Sequence, residues 1–449
     1  MTTPWIKALA LPEKDQKLEL LLRVAPQPVR DVNHLGIRDA VEQLKAGIER
    51  SYRPSAQDIK VIREIVDVAR GYAGVAYASE EQFVAGSMGR LPLRKSNPAV
   101  MLTGHSGSGK SRLLEAIGRV FSVVRIVQPS PSLQPFPIRS FASVTFERDV
   151  TAVRMMNQLS YAIGGDAEYT AKGGADLRHA RLRTYQVGCC AALLDETQYI
   201  SRSEGSSALP AKLLGQATGL GPPVVYACNF ILGHKLKKRP PEDQRRLLSA
   251  PIILVPDESN DPAFIGFLSD IAVVMDGVLR IDPAVDADEI HAMSFGLRGP
   301  VLDLLLTAYR IAREAKKPSP TLAVTMDHVR SAYLHVDYEH HRNAVTVYQN
   351  DALGFDKIPL AYKCPFELPA SVQVKVRAHA DRIRQRKVDD AVFEESRTHA
   401  EREAEKAAVK ARRKAADELA SNSGKVTPAL VPTKTRRSRI TADDLRANL

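Results

Sequence analysis

The stretch Gly104-His105-Ser106-Gly107-Ser108-Gly109-Lys110-Ser111 decides how the rest of the chain is read. It fits the phosphate-loop pattern G-x-x-x-x-G-K-[ST]. It stands between an apolar run, Ala99 to Thr103, and a segment that sets Leu113, Leu114 and Ile117 on one helical face. A strand, a glycine-rich turn and a helix N-terminus in that order make an anion site, because glycines let backbone N–H groups curl around phosphates and the helix dipole favours negative charge. In such a loop Lys110 reaches the β and γ oxygens of ATP, and Ser111 gives one oxygen ligand to Mg2+.

Three features downstream suit the same chemistry. The apolar run Cys189 to Leu194 ends in Asp195-Glu196; a carboxylate at the end of a buried strand can hold magnesium, and a second can orient the attacking water. Another run, Val224 to Cys228, ends at Asn229, whose side chain either senses the γ-phosphate or turns the chain. Arg245-Arg246 follows the basic loop Lys235, Lys237, Lys238 and Arg239. One of the pair is an arginine finger for a neighbouring subunit, or the stretch is a solvated basic turn. Arg298, in Gly296-Leu297-Arg298, opens a helix and is either a second γ-phosphate contact or a surface cation.

The expected fold class is α/β, a P-loop core with a parallel sheet flanked by helices. Apolar runs at Ala99–Thr103, Val123–Val127, Cys189–Leu194 and Val224–Cys228 alternate with amphipathic segments across residues 97–285. Residues 1–96 read as a helical N-terminal module, with Ile37, Val41, Leu44 and Ile48 on one face, then Ile59, Ile62, Ile65, Val66 and Val68. Residues 286–345 read as a small helical lid with helices over Pro300–Ala315 and from Met326, and 346–374 as a connector. Residues 375–449 read as an extended charged tail: a salt-bridged helix with almost no core to join, a Gly/Pro break at 421–432, then Lys434, Arg436, Arg437 and Arg439 before a short helix. That tail is expected to bind a partner.

The chain has 449 residues, 44% of them apolar and 26% charged, with a formal charge of +11. Composition of this kind is globular, and the excess of cations suits an anionic polymer such as nucleic acid. Arg139, Lys172, Arg178, Arg181 and Arg183 are the candidate DNA contacts, chosen on charge. Cys189, Cys190, Cys228 and Cys364 lack metal-site spacing, and the first three sit in apolar runs, which suits a reduced cytoplasm. No run approaches the ~18 apolar residues of a membrane helix, and the N-terminus has no signal-peptide pattern.

The order of strand, P-loop, Leu193-Leu194-Asp195-Glu196-Thr197-Gln198, polar sensor strand, arginine pair and lid arginine resembles the AAA+ ATPases of the TnsC/TniB type, with MuB more distant. Gln198, two places after the glutamate, is the most telling residue. Val32-Asn33-His34-Leu35 through Tyr52-Arg53-Pro54, and Ile62-Arg63 through Arg70-Gly71-Tyr72, are similar to that family's helical lead-in. The resemblance spans about residues 32–340. It implies Walker A roles for Lys110 and Ser111, Walker B roles for Asp195 and Glu196, sensor 1 at Asn229, a finger at Arg245 or Arg246, and sensor 2 at Arg298. It further implies ATP-dependent rings or filaments on duplex DNA without strong sequence preference. A bacterial regulator of this kind links a TniQ/TnsD-like target selector to TnsA/TnsB-like transposase subunits. Helicase loaders share the core, and a signalling NTPase scaffold without DNA is a further reading. Residues 130–183 and the tail match no motif.

Overall fold

A computed structural model gives the fold. It describes residues 3–92, 99–121, 125–128, 134–147, 151–163, 177–200, 207–315, 322–354, 358–368 and, within 370–388, positions 370, 373–374, 376–378, 380–385 and 388. Two compact units are distinguished, Met1–Ile383 and Arg384–Leu449. All that follows concerns the first. Lys172, the Arg178 side chain and the tail's basic cluster lie outside the described residues.

The chain opens with α1 (Pro4–Ala8), α2 (Asp15–Leu22), α3 (Ile37–Arg50), α4 (Ala56–Ala76) and α5 (Glu80–Ser87). Ser55 starts α4 through a capping box with Asp58, each side chain accepting the other's backbone N–H. Strand β1 (Val100–Gly104) then leads through the P-loop into α6 (Lys110–Phe121), followed by β2 (Arg125–Val127), β3 (Phe136–Ile138) and β4 (Phe141–Thr145). Next come α7 (Ala152–Ala162), α8 (Leu177–Gln186), β5 (Ala191–Asp195), α9 (Ala208–Ala217), β6 (Val224–Cys228), α10 (Phe230–Lys237), α11 (Pro241–Leu247) and β7 (Ala250–Leu254). The last helices are α12 (Pro262–Val274), α13 (Pro283–Ser294), α14 (Arg298–Ala315), α15 (Met326–Leu334) and α16 (Glu339–Ala352).

The main sheet has the order β4-β5-β6-β1-β7, and each neighbouring pair is parallel. Its strands show period-two sorting into two cores. Val100, Leu102, Leu193, Val225 and Ala227 face one core, shared with Trp5, Leu18, Ile62 and Ile65 of the leading helices. Met101, Ala192, Leu194, Val224 and Tyr226 face the other, packed on Met155, Leu213 and Leu214. Helices therefore cover both faces, the condition under which parallel strands read as continuous apolar runs.

Two sequence expectations shift. Of the run Val123–Val127, the described part, Arg125–Val127, does not join the parallel sheet: as β2 it pairs antiparallel with β3 in a separate two-stranded ribbon. The flanking strands are instead β4 and β7, which carry Ser143 and Pro251 within their runs. Edge strands tolerate both residues, since one side needs no ladder partner.

The leading helices do not keep a core of their own. α4 packs on the sheet, whereas Ala40, Leu44 and Ile48 of α3 pack with Phe264, Leu268, Ile271 and Leu305 of α12 and α14. Helical structure on the lid side starts at Pro262, where Asp261 caps the first turn by accepting the Ala263 N–H. At the other end Ile383 is buried beside Phe295, Val345 and Tyr348, so residues just past 375 do reach a core. No described helix is long and apolar enough to cross a membrane.

Candidate nucleotide site

The P-loop leaves β1 at Gly104, where a Cβ would stand 2.7 Å from the Leu254 carbonyl oxygen of β7. Gly107 and Gly109 both take positive φ, 78° and 92°, the region that glycine enters without penalty. A Cβ on Gly107 would also meet Pro300 Cδ at 2.7 Å, so the loop lies directly against the start of α14. The Lys110 ammonium donates to the Gly104 and His105 carbonyls at 3.0 and 2.8 Å and reaches Ser108 Oγ at 3.4 Å. Burial pushes its pKa down, against Cys228, Glu196 and Asp195, which support the charged form.

His105 is the loop residue that turns away from the cavity side. Its ring packs against Tyr348 of α16 at 3.9 Å and Phe230 of α10 at 4.9 Å between centroids. Burial, helped by Lys110, drops its pKa to about 3, so it is a neutral wedge. Residues 358–368 strap the same side: Lys363 offers its carbonyl to His234 at 2.9 Å, and Lys237 stands 5.0 Å over the Phe366 ring.

β5 delivers the acid pair. Asp195 ends the strand and is 9% exposed, and its Oδ1 accepts the Glu196 N–H at 2.8 Å. Glu196 has φ 55°, a left-handed conformation that costs a non-glycine residue about 1 kcal/mol. This bend aims its carboxylate back into the cavity, where the Gln198 side-chain amide donates to it. Burial and then the Asp195 charge push the Glu196 carboxyl upward, while Lys110 and the Gln198 hydrogen bond oppose the shift. β6 presents Asn229 at its end, and the Asn229 side chain also caps α10 by accepting the Leu232 N–H at 3.3 Å.

Ser106, Lys110, Ser111, Glu196, Asn229 and Arg298 line one cavity of about 500 Å³, whereas Asp195 is not among its lining residues. Among the described residues no group of three or more His, Cys, Asp or Glu could cage a metal alone. Mg2+ is ordinarily held by one or two protein oxygens together with phosphates and water. Of the two residues expected to hold it, Ser111 lines the cavity and Asp195 ends the adjoining strand β5.

The arginines differ from one another. Arg298 is half-buried; its Nε donates to Asp257 Oδ2 at 2.9 Å and its Nη1 to the Arg53 carbonyl, with Asp58 Oδ2 at 3.6 Å. Burial works against that cation, yet Asp257 and Asp58 raise its pKa overall. Arg53, which motif reasoning did not single out as a site residue, lines the cavity and holds Asp270 through two bonds of 2.9 and 2.7 Å. Tyr52 and Phe267 line it too, as the aromatic part of its wall. Arg246 folds back onto Gly215 O at 2.6 Å and Thr218 Oγ1 at 2.6–3.0 Å. Arg245 is exposed and makes no hydrogen bond or ion pair among the described residues.

Of the basic residues chosen as DNA contacts, the three whose side chains are described already have acceptors within the chain. Arg139 donates to the Ala162 carbonyl at 3.0 Å, Arg181 to the Pro92 carbonyl at 2.9 Å, and Arg183 to Gln186 at 3.5 Å; all three are half-buried. None lines the nucleotide cavity.

No family model matches the chain, and no curated protein matches it. Among solved structures, the Aeropyrum pernix ORC1 protein in complex with DNA aligns with TM-score 0.36 and 17% identity, over 71% of this chain and 82% of that one. A closed-state reconstruction of Hsp104 with ATPγS and FITC casein aligns with TM-score 0.34 and 14% identity, over 69% of this chain and 49% of that one. The strand order, with β6 between the P-loop strand and the acid-pair strand, makes the chain an α/β P-loop fold built on a five-stranded parallel sheet, independently of these alignments.

Proposed function

We propose that this chain is an ATP-hydrolysing switch of the TnsC/TniB kind, which assembles on duplex DNA when ATP is bound and directs a transposase to its target. The observation that carries the reading is the contact between Gln198 and Glu196 inside the P-loop cavity. Gln198 is the residue that most marks the resemblance, and it grips the carboxylate suited to orient water.

In this reading the P-loop N–H groups and Lys110 hold the β and γ phosphates, and Ser111 and Asp195 hold Mg2+, which neutralises charge on the phosphates. Glu196 accepts a hydrogen bond from the attacking water, and Gln198 fixes the carboxylate's orientation. Asn229 faces the γ-phosphate. Arg245, free and exposed, serves the neighbouring subunit's nucleotide, while Arg298 reaches its own. The segment bearing Arg139, Lys172, Arg178, Arg181 and Arg183 contributes duplex contacts, the tail recruits TnsA/TnsB-like transposase subunits, and a TniQ/TnsD-like selector binds elsewhere on the assembly.

Glu196→Gln keeps side-chain size and removes the charge that orients water. It is expected to bind ATP like the wild type, to lower turnover by about 10²-fold or more, and to leave long-lived assemblies on DNA visible by electron microscopy. Turnover at the wild-type rate would refute the role of Glu196. Wild-type assembly on DNA without nucleotide would refute the switch, and failure of those assemblies to retain transposase subunits would refute the link to transposition.

A further inference from the structure

A second groove, of about 940 Å³, lies beside the nucleotide cavity and shares Ser51 with it. It forms where three helices end together: Leu21 and Arg23 at the end of α2, Gly47 and Arg50 at the end of α3, Arg119 and Val120 in the last turn of α6. Gly47 lets α3 lie close to its neighbours at this point, since a Cβ there would stand 2.6 Å from Val29 and 2.9 Å from Val274 of α12.

Three guanidinium side chains line this groove and no carboxylate does. Part of that charge is used at helix ends, where carbonyls lack partners: Arg119 donates to the Leu22 carbonyl, and nearby Arg112 donates to the Ser51 carbonyl, both at 2.6 Å. The remainder is not. Arg50 is exposed with no hydrogen bond or ion pair among the described residues. Arg23 has a buried Nε without a partner and stands 3.6 Å from Asp270, a carboxylate already gripped twice by Arg53. Burial and then Arg112 hold Arg119 below its ordinary pKa, while Tyr52 and Glu115 oppose the shift.

We propose that this groove binds the phosphodiester backbone of duplex DNA through Arg23, Arg50 and Arg119. The chemistry of its lining selects that ligand. Guanidinium groups pair with phosphate oxygens in a fork, and the rest of the lining is uncharged: Leu21, Val24, Ala25, Gln27, Gly47, Ser51 and Val120. No aromatic ring lines it, so it offers no stacking platform for unpaired bases. Contacts confined to phosphate position a protein without reading sequence. The assignment rests on the DNA-binding reading above and places its contact surface next to the nucleotide, with Ser51 as their common wall.

The test is duplex affinity of the full chain with a non-hydrolysable ATP analogue, followed by fluorescence anisotropy from low to moderate salt. Replacing Arg23, Arg50 and Arg119 by Gln is expected to weaken binding about tenfold or more at physiological salt. The slope of log affinity against log salt should fall by about 2 to 3, near 0.9 for each phosphate no longer neutralised, equally on two unrelated sequences. Arg50→Gln alone, which removes only an exposed side chain, should lower the slope by about 1, and the three-lysine variant should keep most of it. ATP affinity should stay at the wild-type value. Equal slopes for wild type and Arg50→Gln, or a preference for single strands, would overturn the groove assignment while leaving DNA binding intact. A wild type that binds no duplex even at low salt would overturn both readings.

Discussion

The nucleotide cavity and the basic groove are neighbours, each lined by arginine, yet their cations are treated oppositely. In the cavity Arg298 is held by Asp257 and Arg53 by Asp270, each at 2.9 Å or less, and those carboxylates are themselves nearly buried. In the groove Arg50 has no such partner and Arg23 shares one that is already taken. Arginine content alone therefore says little about what a surface binds. The pairing decides whether a cation is part of the fold or is left to meet a ligand.

Breaking a cavity pair should have the largest effect on the fold. Asp270→Asn leaves Arg53 half-buried without its counter-charge and is expected to cost about 3 kcal/mol of unfolding free energy. Arg50→Gln, its counterpart in the groove, should change stability by less than about 0.5 kcal/mol. Urea unfolding of both variants measures the difference directly. Equal costs would erase the contrast between the two regions.

Two histidines, His105 of the P-loop and His291 of α13, sharpen the picture through pH. Burial holds His105 at about 3 and His291 at about 4, both below the unfolded value near 6.5. A folded pKa below the unfolded one means that the unfolded chain takes up protons first. This contribution is then complete above about pH 6.5 and is lost as pH falls toward 3–4. By pH 5 each histidine should withdraw about 1–2 kcal/mol. His105→Gln, if it folds, should flatten the fall in melting temperature between pH 7 and 5; an unchanged fall would show that His105 is not the group responsible.

The same contrast recurs within one dipeptide and gives the smallest effects. Arg246→Ala loses hydrogen bonds to Gly215 and Thr218 and should destabilise the chain by about 1 kcal/mol. Arg245→Ala should leave the melting temperature unchanged and slow hydrolysis only in assembled protein. Mixing it with Lys110→Ala protein should restore part of the activity at shared interfaces, and no recovery would assign Arg245 to a solvated turn.

Much of the cavity was legible in the sequence because its parts are local. The P-loop, Asp195-Glu196 and Asn229 each follow an apolar run whose end is visible in the chain, and β6 has the very bounds that Val224–Cys228 suggest. β4 and β7 escaped notice because edge strands need less apolar character, and Pro251 reads as a breaker. The arginine roles were illegible for a different reason. Arg53 meets a carboxylate 217 residues away and Arg298 one 41 residues away, so charge shows in the sequence whereas cancellation does not.

The alternation of β1 between two cores has a consequence for the phosphate loop that hangs from it. Met101 belongs to one side and Val100 and Leu102 to the other, all buried, with β6 and β7 pairing on both edges. A slip of a single residue would turn every one of these side chains to the wrong layer. The sheet thus acts as a ruler with no half-marks: the height of Gly104 and Lys110 above it is quantised by packing far from any nucleotide, and the loop inherits its position before a ligand arrives.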